Sequence, residues 1–263
     1  MKATETPTKD RNMQKLLSII IPTYKRSDQL YRALASICYE DIFMLDIIVV
    51  DDDEEMSGAS MTSRFQNVRY FAKRGQERGL ASSRNLGIKF ATGKYIIFLD
   101  DDDFFLPDTI SNFINAIVPT KSFYYGNFLR LLKEGVQHIS LETVSERKLM
   151  VSNEIPAGAF MIEKSSIKAP FDISMKSHED WNFLLLNIDW DNTMFVNADV
   201  VAIDKTAADS ESMQNRRRVF FWMEFISIYC RFPSRDLAEQ RSARIAQYGV
   251  KIPADALKLD DRF

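Results

Sequence analysis

The sequence predicts an α/β fold in which a single, mainly parallel central sheet is flanked by helices and followed by a C-terminal helical extension. Short apolar runs without polar alternation, typical of strands buried on both faces, alternate with segments of helical periodicity. Two of these runs end abruptly in consecutive carboxylates, at residues 51–53 and 100–103. Ligands of open α/β sheets bind outside the carboxyl ends of the strands, so these acids predict a functional site at that edge.

The overall composition narrows the class of protein. The 263 residues are 46% hydrophobic, which is enough for a substantial core. Basic and acidic residues number 34 and 37, so the charge gives no case for binding nucleic acid. Cys38 and Cys230 lie far apart without a neighbouring cysteine or histidine at metal-ligand spacing, which favours a reducing, cytoplasmic environment over a disulfide framework or a zinc site. No apolar stretch reaches the roughly 18 residues of a membrane span, so we expect a soluble or at most peripheral protein.

The first half of the chain has the order strand, helix, strand, strand, helix, strand. Leu30, Leu34 and Ile37 keep helical spacing after the first strand, and Gly93 separates the second helix from the fourth strand. Because these strands are apolar throughout, we expect them to form a parallel sheet covered on both faces. The predicted strands cover residues 16–21, 47–50, 68–71 and 95–99, and the second helix covers residues 81–90.

A more irregular second half continues the α/β pattern. Residues 176–181 are predicted to form a loop that opens a helix, and the strands of this half are short. The predicted elements are a helix over 108–117, a strand over 122–125, a loop that enters a strand over 155–162, and a closing pair of strands over 193–195 and 199–203.

Four consecutive carboxylates follow the fourth predicted strand. Two carboxylates about 4 Å apart repel by roughly 4 kcal/mol at an effective dielectric of ~20, so a nearby cation or strong donor is required. Strand alternation directs Asp100 and Asp102 to one side and Asp101 and Asp103 to the other. Oxygen ligands without histidine or cysteine suit Mg²⁺ or Mn²⁺, ions that commonly bridge a carboxylate and a substrate diphosphate. The alternative is an acidic, solvated turn or helix cap.

The chain lacks the common glycine-rich phosphate-binding motifs. No GxGxxG follows the first strand and no GxxxxGK[ST] occurs, which argues against dinucleotide oxidoreductases and P-loop enzymes. A bound phosphate would then be held by metal and by Arg26, Arg78 or Arg84, and the ring of Tyr24 could stack on a base.

Two segments of the second half admit two interpretations each. Glu179 and Asp180 open a predicted helix, where acids are favoured by the helix dipole, so they either cap the helix or serve the site. The basic and aromatic residues 215–230 form a helix that is apolar on nearly every side. This helix is either buried against the domain or a second subunit of a homo-oligomer, or it lies on an anionic membrane surface with Arg216, Arg217 and Arg218 on phosphates.

Several motifs, taken together, resemble family 2 glycosyltransferases of the GT-A fold. The resemblance is close over residues 16–107 and resumes over 157–190. It rests on SIIIPTYKR at 18–26, IVVDD at 48–52, the segment 79–85 that ends in ASSRN, FLDDDD at 98–103, and EDW at 179–181.

The resemblance implies a nucleotide-sugar donor, UDP-linked, and transfer with inversion at the anomeric carbon. Asp100 and Asp102 fit the ends of the family's DxD metal motif, with Asp102 the direct ligand of Mn²⁺ or Mg²⁺ and Asp101 near the ribose. Asp180 matches the general base of the ED motif, and Glu179 would support it. The residues expected to bind the nucleotide-sugar are Pro22, Thr23, Tyr24, Arg26, Asp51, Asp52, Arg78, Arg84, Asp100 and Asp101.

The sequence departs from the family pattern at two places. Asp53 and Glu54 replace the usual Gly-Ser after the second strand, and Lys25 replaces the usual Asn before Arg26. The departures put more negative charge beside the expected base pocket and bear on which base is preferred.

The expected function is transfer of a sugar to a saccharide or lipid-linked acceptor in assembly of a polysaccharide or glycolipid, by a cytoplasmic enzyme that is peripheral at the inner face of the membrane. Two alternatives are a sugar nucleotidyltransferase, which would usually have a glycine-rich loop after the first strand, and a noncatalytic nucleotide-sugar-binding module. We divide the chain into a flexible leader (1–15), a nucleotide-sugar-binding half (16–107), an acceptor-binding half (108–210) and C-terminal helices (211–263).

Overall fold

The computed structural model of the protein describes residues 15–37, 42–75, 77–206 and 219–258. The strands within these ranges form one sheet. They are β1 (Leu17–Thr23), β2 (Leu45–Asp51), β3 (Val68–Ala72), β4 (Tyr95–Phe98), β5 (Phe104–Phe105), β6 (Phe123–Leu132), β7 (Gly135–Ile139), β8 (Phe160–Glu163) and β9 (Thr193–Asp204). Their order across the sheet is β3-β2-β1-β4-β8-β6-β9-β5, and β7 pairs with β6.

Helices cover the sheet and follow it at the C-terminus. They are α1 (Ser27–Ala35), α2 (Ala59–Thr62), α3 (Leu80–Phe90), α4 (Thr109–Asn115), α5 (Glu146–Leu149), α6 (Glu179–Asn187), α7 (Val219–Arg231) and α8 (Ala238–Ala246). The predicted α/β fold class with a C-terminal helical extension is therefore confirmed. In the part of the chain that the structure describes, no helix is long and apolar enough to cross a membrane.

The parallel part of the sheet is centred on β1. This strand pairs in parallel with β2 and with β4, and β2 pairs in parallel with β3. Every residue of β1, β2 and β4 is buried, as the uninterrupted apolar runs predict for strands covered on both faces. In the registers, Thr23 lies opposite Asp51 and Ile20 lies opposite Phe98, so the residues after these three strands lie at one edge.

The rest of the sheet is largely antiparallel. Strand β8 pairs antiparallel with β4 and β6, while β6 and β9 run parallel. The prediction of two short strands at 193–195 and 199–203 is wrong, because β9 is continuous. Its register against β6 shifts at Gly126 and Asn127, and this irregularity lets β9 continue past the polar residues that separated the two apolar patches.

Two predicted segments lie partly or wholly outside the described residues. The leader is outside them except for Lys15, and Arg216, Arg217 and Arg218 are outside them as well. The described part of the C-terminal helix packs on the domain through Phe225, Ile228 and Tyr229, which are buried, whereas Met223 is exposed. Packing on the domain thus accounts for one face of α7, and contact with a membrane or second subunit stays a prediction.

A cluster of aromatic rings fixes α6 against the end of β4. Phe171 and Phe183 stack with centroids 4.0 Å apart, and Phe98 meets them edge-on at 5.2 and 5.9 Å. Such edge-to-face pairs favour defined geometries in addition to their apolar burial. Four consecutive acids, residues 100–103, follow β4, and we call them the acid run. The first turn of α6, which carries Glu179 and Asp180, is therefore held beside the acid run.

Gly93 allows the chain to pass closely behind β1 before it enters β4. A Cβ atom at this position would lie 2.4 Å from the backbone nitrogen of Ser18 and 2.6 Å from the carbonyl carbon of Leu17. Both are backbone atoms of the central strand, so neither can rotate away. The amide of Gly93 also donates a hydrogen bond to Ser18 Oγ at 2.9 Å.

We expect Gly93→Ala to lower the free energy of unfolding by about 1–3 kcal/mol or more, because overpacking here displaces backbone. Gly158→Ala is the matched control, since its Cβ would first meet a methyl group of the Val201 side chain. Urea unfolding of both variants should give the larger loss for Gly93→Ala. An equal or smaller loss would contradict the close approach.

Candidate functional site

A cavity of about 1410 Å³ opens at the carboxyl edge of the parallel strands. It extends from the ends of β1 and β4 to the first turn of α6 and the C-terminal helices. Nearly all the site residues expected from the sequence line it. They are Pro22, Thr23, Tyr24, Arg26, Asp52, Arg78, Arg84, Asp100, Asp101, Asp102, Glu179 and Asp180.

The acid run is a turn in which Arg26 holds two neighbouring carboxylates. One Arg26 nitrogen, Nη1, lies 3.1 Å from Asp101 Oδ1 and 3.1 Å from Asp102 Oδ2. The expectation that Asp101 and Asp102 point to opposite sides is therefore wrong, because β4 ends at Phe98 and the alternation ends with it. Thr23 Oγ1 donates to Asp101 Oδ2 at 2.7 Å, so β1 and the acid run are in direct contact.

Burial and the charges of neighbouring carboxylates raise the pKa of Asp101, Asp102 and Asp103. Burial is the main cause that raises the pKa of Asp101 to about 6. Burial and then the charge of Asp100 raise the pKa of Asp102. The pKa of Asp103 is raised well above its usual value by burial and by the charges of Asp100 and Asp102, although the Asp204 amide donates to it at 3.0 Å.

This donor set fits a divalent cation that is shared with a phosphate. The described residues contain no group of three or more His, Cys, Asp or Glu side chains arranged to hold a metal by themselves. Mg²⁺ and Mn²⁺ commonly use one or two carboxylates together with substrate phosphates and water. The carboxylates of Asp100 and Asp102 repel each other and remain partly exposed, so such a cation could reach them and would stabilise their charge.

Arg84 links the acid run to the first turn of α6. This side chain is 2% exposed, and its Nη2 lies 2.6 Å from Asp100 Oδ1 while its Nη1 lies 2.9 Å from Glu179 Oε1. Burial lowers the pKa of Arg84, but the charges of Asp100 and Glu179 outweigh that effect and raise it. The guanidinium is thus permanently charged and joins two segments that are far apart in sequence.

Glu179 and Asp180 are placed differently although they are neighbours. Burial and then the charge of Asp180 raise the pKa of Glu179 to about 7. Burial also raises the pKa of Asp180, against the opposing charge of Arg84. His178, just before the helix, has a φ of 59° in the left-handed region and makes no side-chain capping bond. Glu179 therefore has a partner outside the helix, Arg84, in addition to its place in the first helical turn.

Asn153 is a site residue that the sequence analysis missed. Its Nδ2 donates to Asp180 Oδ2 at 2.8 Å, while the Trp181 amide donates to Asp180 Oδ1 at 2.7 Å. Both carboxylate oxygens of Asp180 are therefore held by donors, and both hydrogen bonds lower its pKa. Asn153 lies in an irregular polar stretch without a recognisable motif, so only the contact identifies it.

The segment before Asn153 is fixed by side chains from three helices. Three consecutive carbonyl oxygens, of residues 149–151, each accept a hydrogen bond from a different helix. The donors are Trp181 Nε1 to Leu149 at 2.6 Å, Arg241 Nε to Met150 at 3.2 Å, and the Tyr229 hydroxyl to Val151 at 2.7 Å. The C-terminal helices thereby determine where Asn153 meets Asp180.

The two acids after β2 have separate structural partners. Asp51 is fully buried, accepts hydrogen bonds from Gly58 N and the Tyr70 hydroxyl at 2.9 and 2.7 Å, and is outside the cavity lining. Asp52 lines the cavity and contacts buried Lys73 at 2.9 Å. Asp51 therefore orders the loop after β2, and a direct contact of Asp51 with a ligand stays a prediction.

The departures from the family pattern compensate each other in the structure. Lys25 Nζ lies 3.9 Å from Asp53 Oδ1, and Arg78 forms an ion pair with Glu54. The additional acids therefore have basic partners, one of which is itself a departure. Tyr24 is 48% exposed at this rim of the cavity, and Lys25 Nζ lies 5.5 Å from the centroid of its ring.

An α/β sheet with an acid-lined cavity at its carboxyl edge defines a class of ligand-binding folds to which many enzymes belong. The family model described as "Glycosyl transferase family 2" matches residues 18–151, about half of the chain. The chain belongs to this family, which confirms the resemblance recognised from the sequence motifs.

Curated relatives include enzymes named for lipid-linked acceptors. The "GalNAc(5)-diNAcBac-PP-undecaprenol beta-1,3-glucosyltransferase" of Campylobacter jejuni is 32% identical over 154 residues, 57% of this chain and 48% of that protein. A "UDP-Glc:alpha-D-GlcNAc-diphosphoundecaprenol beta-1,3-glucosyltransferase" of Escherichia coli is 24% identical over 183 residues, 68% of this chain and 72% of that protein. The chain thus spans about half the length of the Campylobacter relative.

Solved structures share the fold at low sequence identity. The S. aureus protein TarS, residues 1–349, in complex with UDP-GlcNAc matches with a TM-score of 0.62 at 17% identity, over 92% of this chain and 83% of that chain. A mannosyltransferase of Pyrobaculum calidifontis in complex with GDP-Man and Mn²⁺ matches with a TM-score of 0.59 at 15% identity, over 97% and 82%. These likenesses confirm the predicted fold.

We expect Asn153→Ala to raise the pKa of Asp180, because the change removes a hydrogen bond that favours the ionised carboxylate. Carbon-13 NMR titration of labelled aspartate carboxyls measures this shift. Asn192→Ala is the matched control, since it removes an amide–carboxylate hydrogen bond of the same 2.8 Å length to Asp189 on an exposed turn. The control should leave the pKa of Asp180 unchanged. An unchanged Asp180 titration in Asn153→Ala would contradict the role of this contact.

Proposed function

We propose that the protein is an inverting glycosyltransferase that moves a sugar from a nucleotide-sugar, a UDP-sugar, to a saccharide or lipid-linked acceptor in assembly of a polysaccharide or glycolipid. One observation carries the proposal: a single cavity is lined by the acid run and by Asp180, and buried Arg84 joins the two through Asp100 and Glu179. A donor diphosphate and an acceptor hydroxyl need this proximity in order to react.

The donor would occupy the end of the cavity at β1 and β4. Tyr24 has a partly exposed ring on which the base would stack, and the guanidinium groups of Arg26 and Arg78 line the same end of the cavity. Pro22, Thr23 and Asp52 line the same end, and Asp101 would lie near the ribose of the donor. The UDP preference is supported by the donor named for the Escherichia coli relative.

The acid run would hold a divalent cation, with Asp102 as the direct ligand and Asp100 beside it. When bound, Mn²⁺ or Mg²⁺ stabilises charge that develops on the departing diphosphate. Arg26 contacts Asp102 through one nitrogen, and its 32% exposed side chain can turn toward a phosphate. Arg84 keeps Asp100 in place by its buried ion pair.

Asp180 would act as the general base. Its carboxylate accepts the proton of the attacking acceptor hydroxyl while that oxygen bonds to the anomeric carbon. The bond from this carbon to the phosphate oxygen breaks, and the nucleoside diphosphate leaves with the electron pair. One base is sufficient for a single displacement with inversion, whereas retention by double displacement would require a second carboxylate as nucleophile. Glu179 supports the base by fixing the helix to Arg84.

A lipid-linked acceptor would place the protein in the cytoplasm at the inner face of the membrane. The names of both curated relatives contain undecaprenol-linked diphosphate substrates, which supports this class of acceptor. The two alternatives, a sugar nucleotidyltransferase and a noncatalytic binding module, predict no transfer of sugar to an acceptor. Product analysis with a labelled donor therefore separates them from the proposal.

We expect Asp180→Asn to lower kcat for sugar transfer by at least about 100-fold while the donor dissociation constant is unchanged, because the change removes the base and keeps the shape of the side chain. Asp191→Asn, at an exposed turn away from the cavity, is the control. Steady-state kinetics and donor titration measure the two effects. Turnover at the wild-type rate in Asp180→Asn would overturn the base assignment.

Titration calorimetry of UDP, GDP and dTDP, each with Mn²⁺ and with chelator, tests the donor class and the metal together. We expect UDP to bind, more tightly with Mn²⁺ than with chelator, and Asp102→Asn to lose the metal-dependent increase. Glu142→Gln, an exposed acid outside the cavity lining, should retain the increase. Failure of all three nucleotides to bind to folded protein would contradict the assignment of the donor end.

A further inference from the structure

A continuous row of aromatic rings forms the wall of the cavity on the side of the C-terminal helices. We call this row the aromatic wall. It starts next to Asp180 and continues over α7 to the turn after α8, with ring-to-ring centroid distances of 4.3–6.5 Å. Its members are His178, Trp181, Phe221, Phe225 and Tyr248.

Glu224 holds the loop at the start of the aromatic wall against α7. Its Oε1 accepts the Lys176 amide at 2.8 Å, and its Oε2 accepts both the amide and the hydroxyl of Ser177 at 2.7 Å. His178 follows directly, and its ring is held by the Ser177 hydroxyl, 2.9 Å from His178 Nδ1, and by the Phe221 ring at 4.3 Å. The His178 and Phe221 rings are inclined by 51° with centroids 4.3 Å apart, and together they offer two ring surfaces against which a sugar can pack.

Arg244 ends the aromatic wall on α8. Its guanidinium lies 5.3 Å from the centroid of the Tyr248 ring, and its Nη1 donates to Gln247 Oε1 at 3.0 Å. No carboxylate pairs with Arg244 among the described residues, and its Nε–H has no hydrogen-bond partner there. Its charge is therefore available to an anion in the cavity, which it lines.

The arginines at the donor end have no such free charge. All three are neutralised by carboxylates of the protein: Arg26 by Asp101 and Asp102, Arg78 by Glu54, and Arg84 by Asp100 and Glu179. Arg244 differs from these three arginines because no carboxylate of the described residues neutralises it. A planar guanidinium matches phosphate geometry with two parallel hydrogen bonds.

We propose that Arg244 and the Tyr248 ring form an acceptor subsite for the diphosphate of a glycosyl diphosphate, whose sugar lies on the His178 and Phe221 rings with a hydroxyl toward Asp180. This inference rests on the proposed function and specifies its acceptor class. The arrangement orders the acceptor along the aromatic wall: the hydroxyl at Asp180, the sugar face on the rings, and the anomeric diphosphate at Arg244.

Binding of a short-chain alkyl diphosphate, measured by calorimetry with chelator present, tests the subsite without turnover. The wild-type protein should bind this probe, Arg244→Gln should weaken it by about 10- to 100-fold, and Arg244→Lys should retain part of the affinity. Two control variants should match the wild type. They are Arg130→Gln, which removes a cavity-lining arginine from β6, and Arg147→Gln, which removes an exposed arginine outside the cavity.

Transfer kinetics then connect the subsite to the reaction. With α-D-GlcNAc diphosphate carrying an alkyl chain as acceptor, Arg244→Gln should raise KM by about 10- to 100-fold. With the alkyl glycoside of GlcNAc, which lacks the diphosphate, the same change should leave KM unaltered. The donor dissociation constant should not change with either acceptor.

The outcomes separate this inference from the proposed function. Absence of diphosphate binding, equal effects on both acceptors, or a loss in Arg130→Gln instead of Arg244→Gln would overturn the subsite while transfer by the wild type stands. Arg244-dependent diphosphate binding without transfer from any nucleotide-sugar would overturn the proposed function and leave the subsite in place.

Discussion

The site depends on one buried cation, the guanidinium of Arg84. It neutralises Asp100 at the end of β4 and Glu179 at the start of α6, two acids that would otherwise repel across the cavity floor. Removing one partner of a buried ion pair typically costs about 3–5 kcal/mol, because the remaining charge is left without compensation. Folding itself therefore fixes the position of the acid run relative to Asp180, before any ligand binds.

The fold supplies the rigidity on which this cation depends. Arg84 lies on α3, and its guanidinium packs 5.3 Å from the centroid of Phe171. That ring is stacked on Phe183 of α6 and meets Phe98 of β4. The same aromatic cluster thus supports the guanidinium, the strand that leads into Asp100 and the helix that begins at Glu179. A displacement of any one of these elements would change both ion pairs.

Much of the fold and of the cavity edge at β1 and β4 could be predicted from sequence because the information there is local. Uninterrupted apolar runs identified β1, β2 and β4, and their terminal acids identified the cavity edge. Strand alternation failed for Asp101 and Asp102, because the backbone leaves the strand at Phe98 and tertiary contacts with Arg26 then set the side-chain directions. Asn153 could not be predicted, since its relation to Asp180 arises from packing between distant segments and no local pattern encodes it.

The C-terminal helices are part of the site because they determine the geometry around Asp180 from two directions. On one side, Tyr229 and Arg241 bind the backbone that presents Asn153 to this carboxylate. On the other side, Glu224 binds the loop that leads into α6 through three hydrogen bonds. A change in the packing of α7 would therefore move both supports of Asp180, whereas the acid run is held by Arg26, Thr23 and Arg84, which lie outside these helices. Because Tyr229 and Glu224 both lie on α7, the packing of this one helix couples the two supports of the carboxylate.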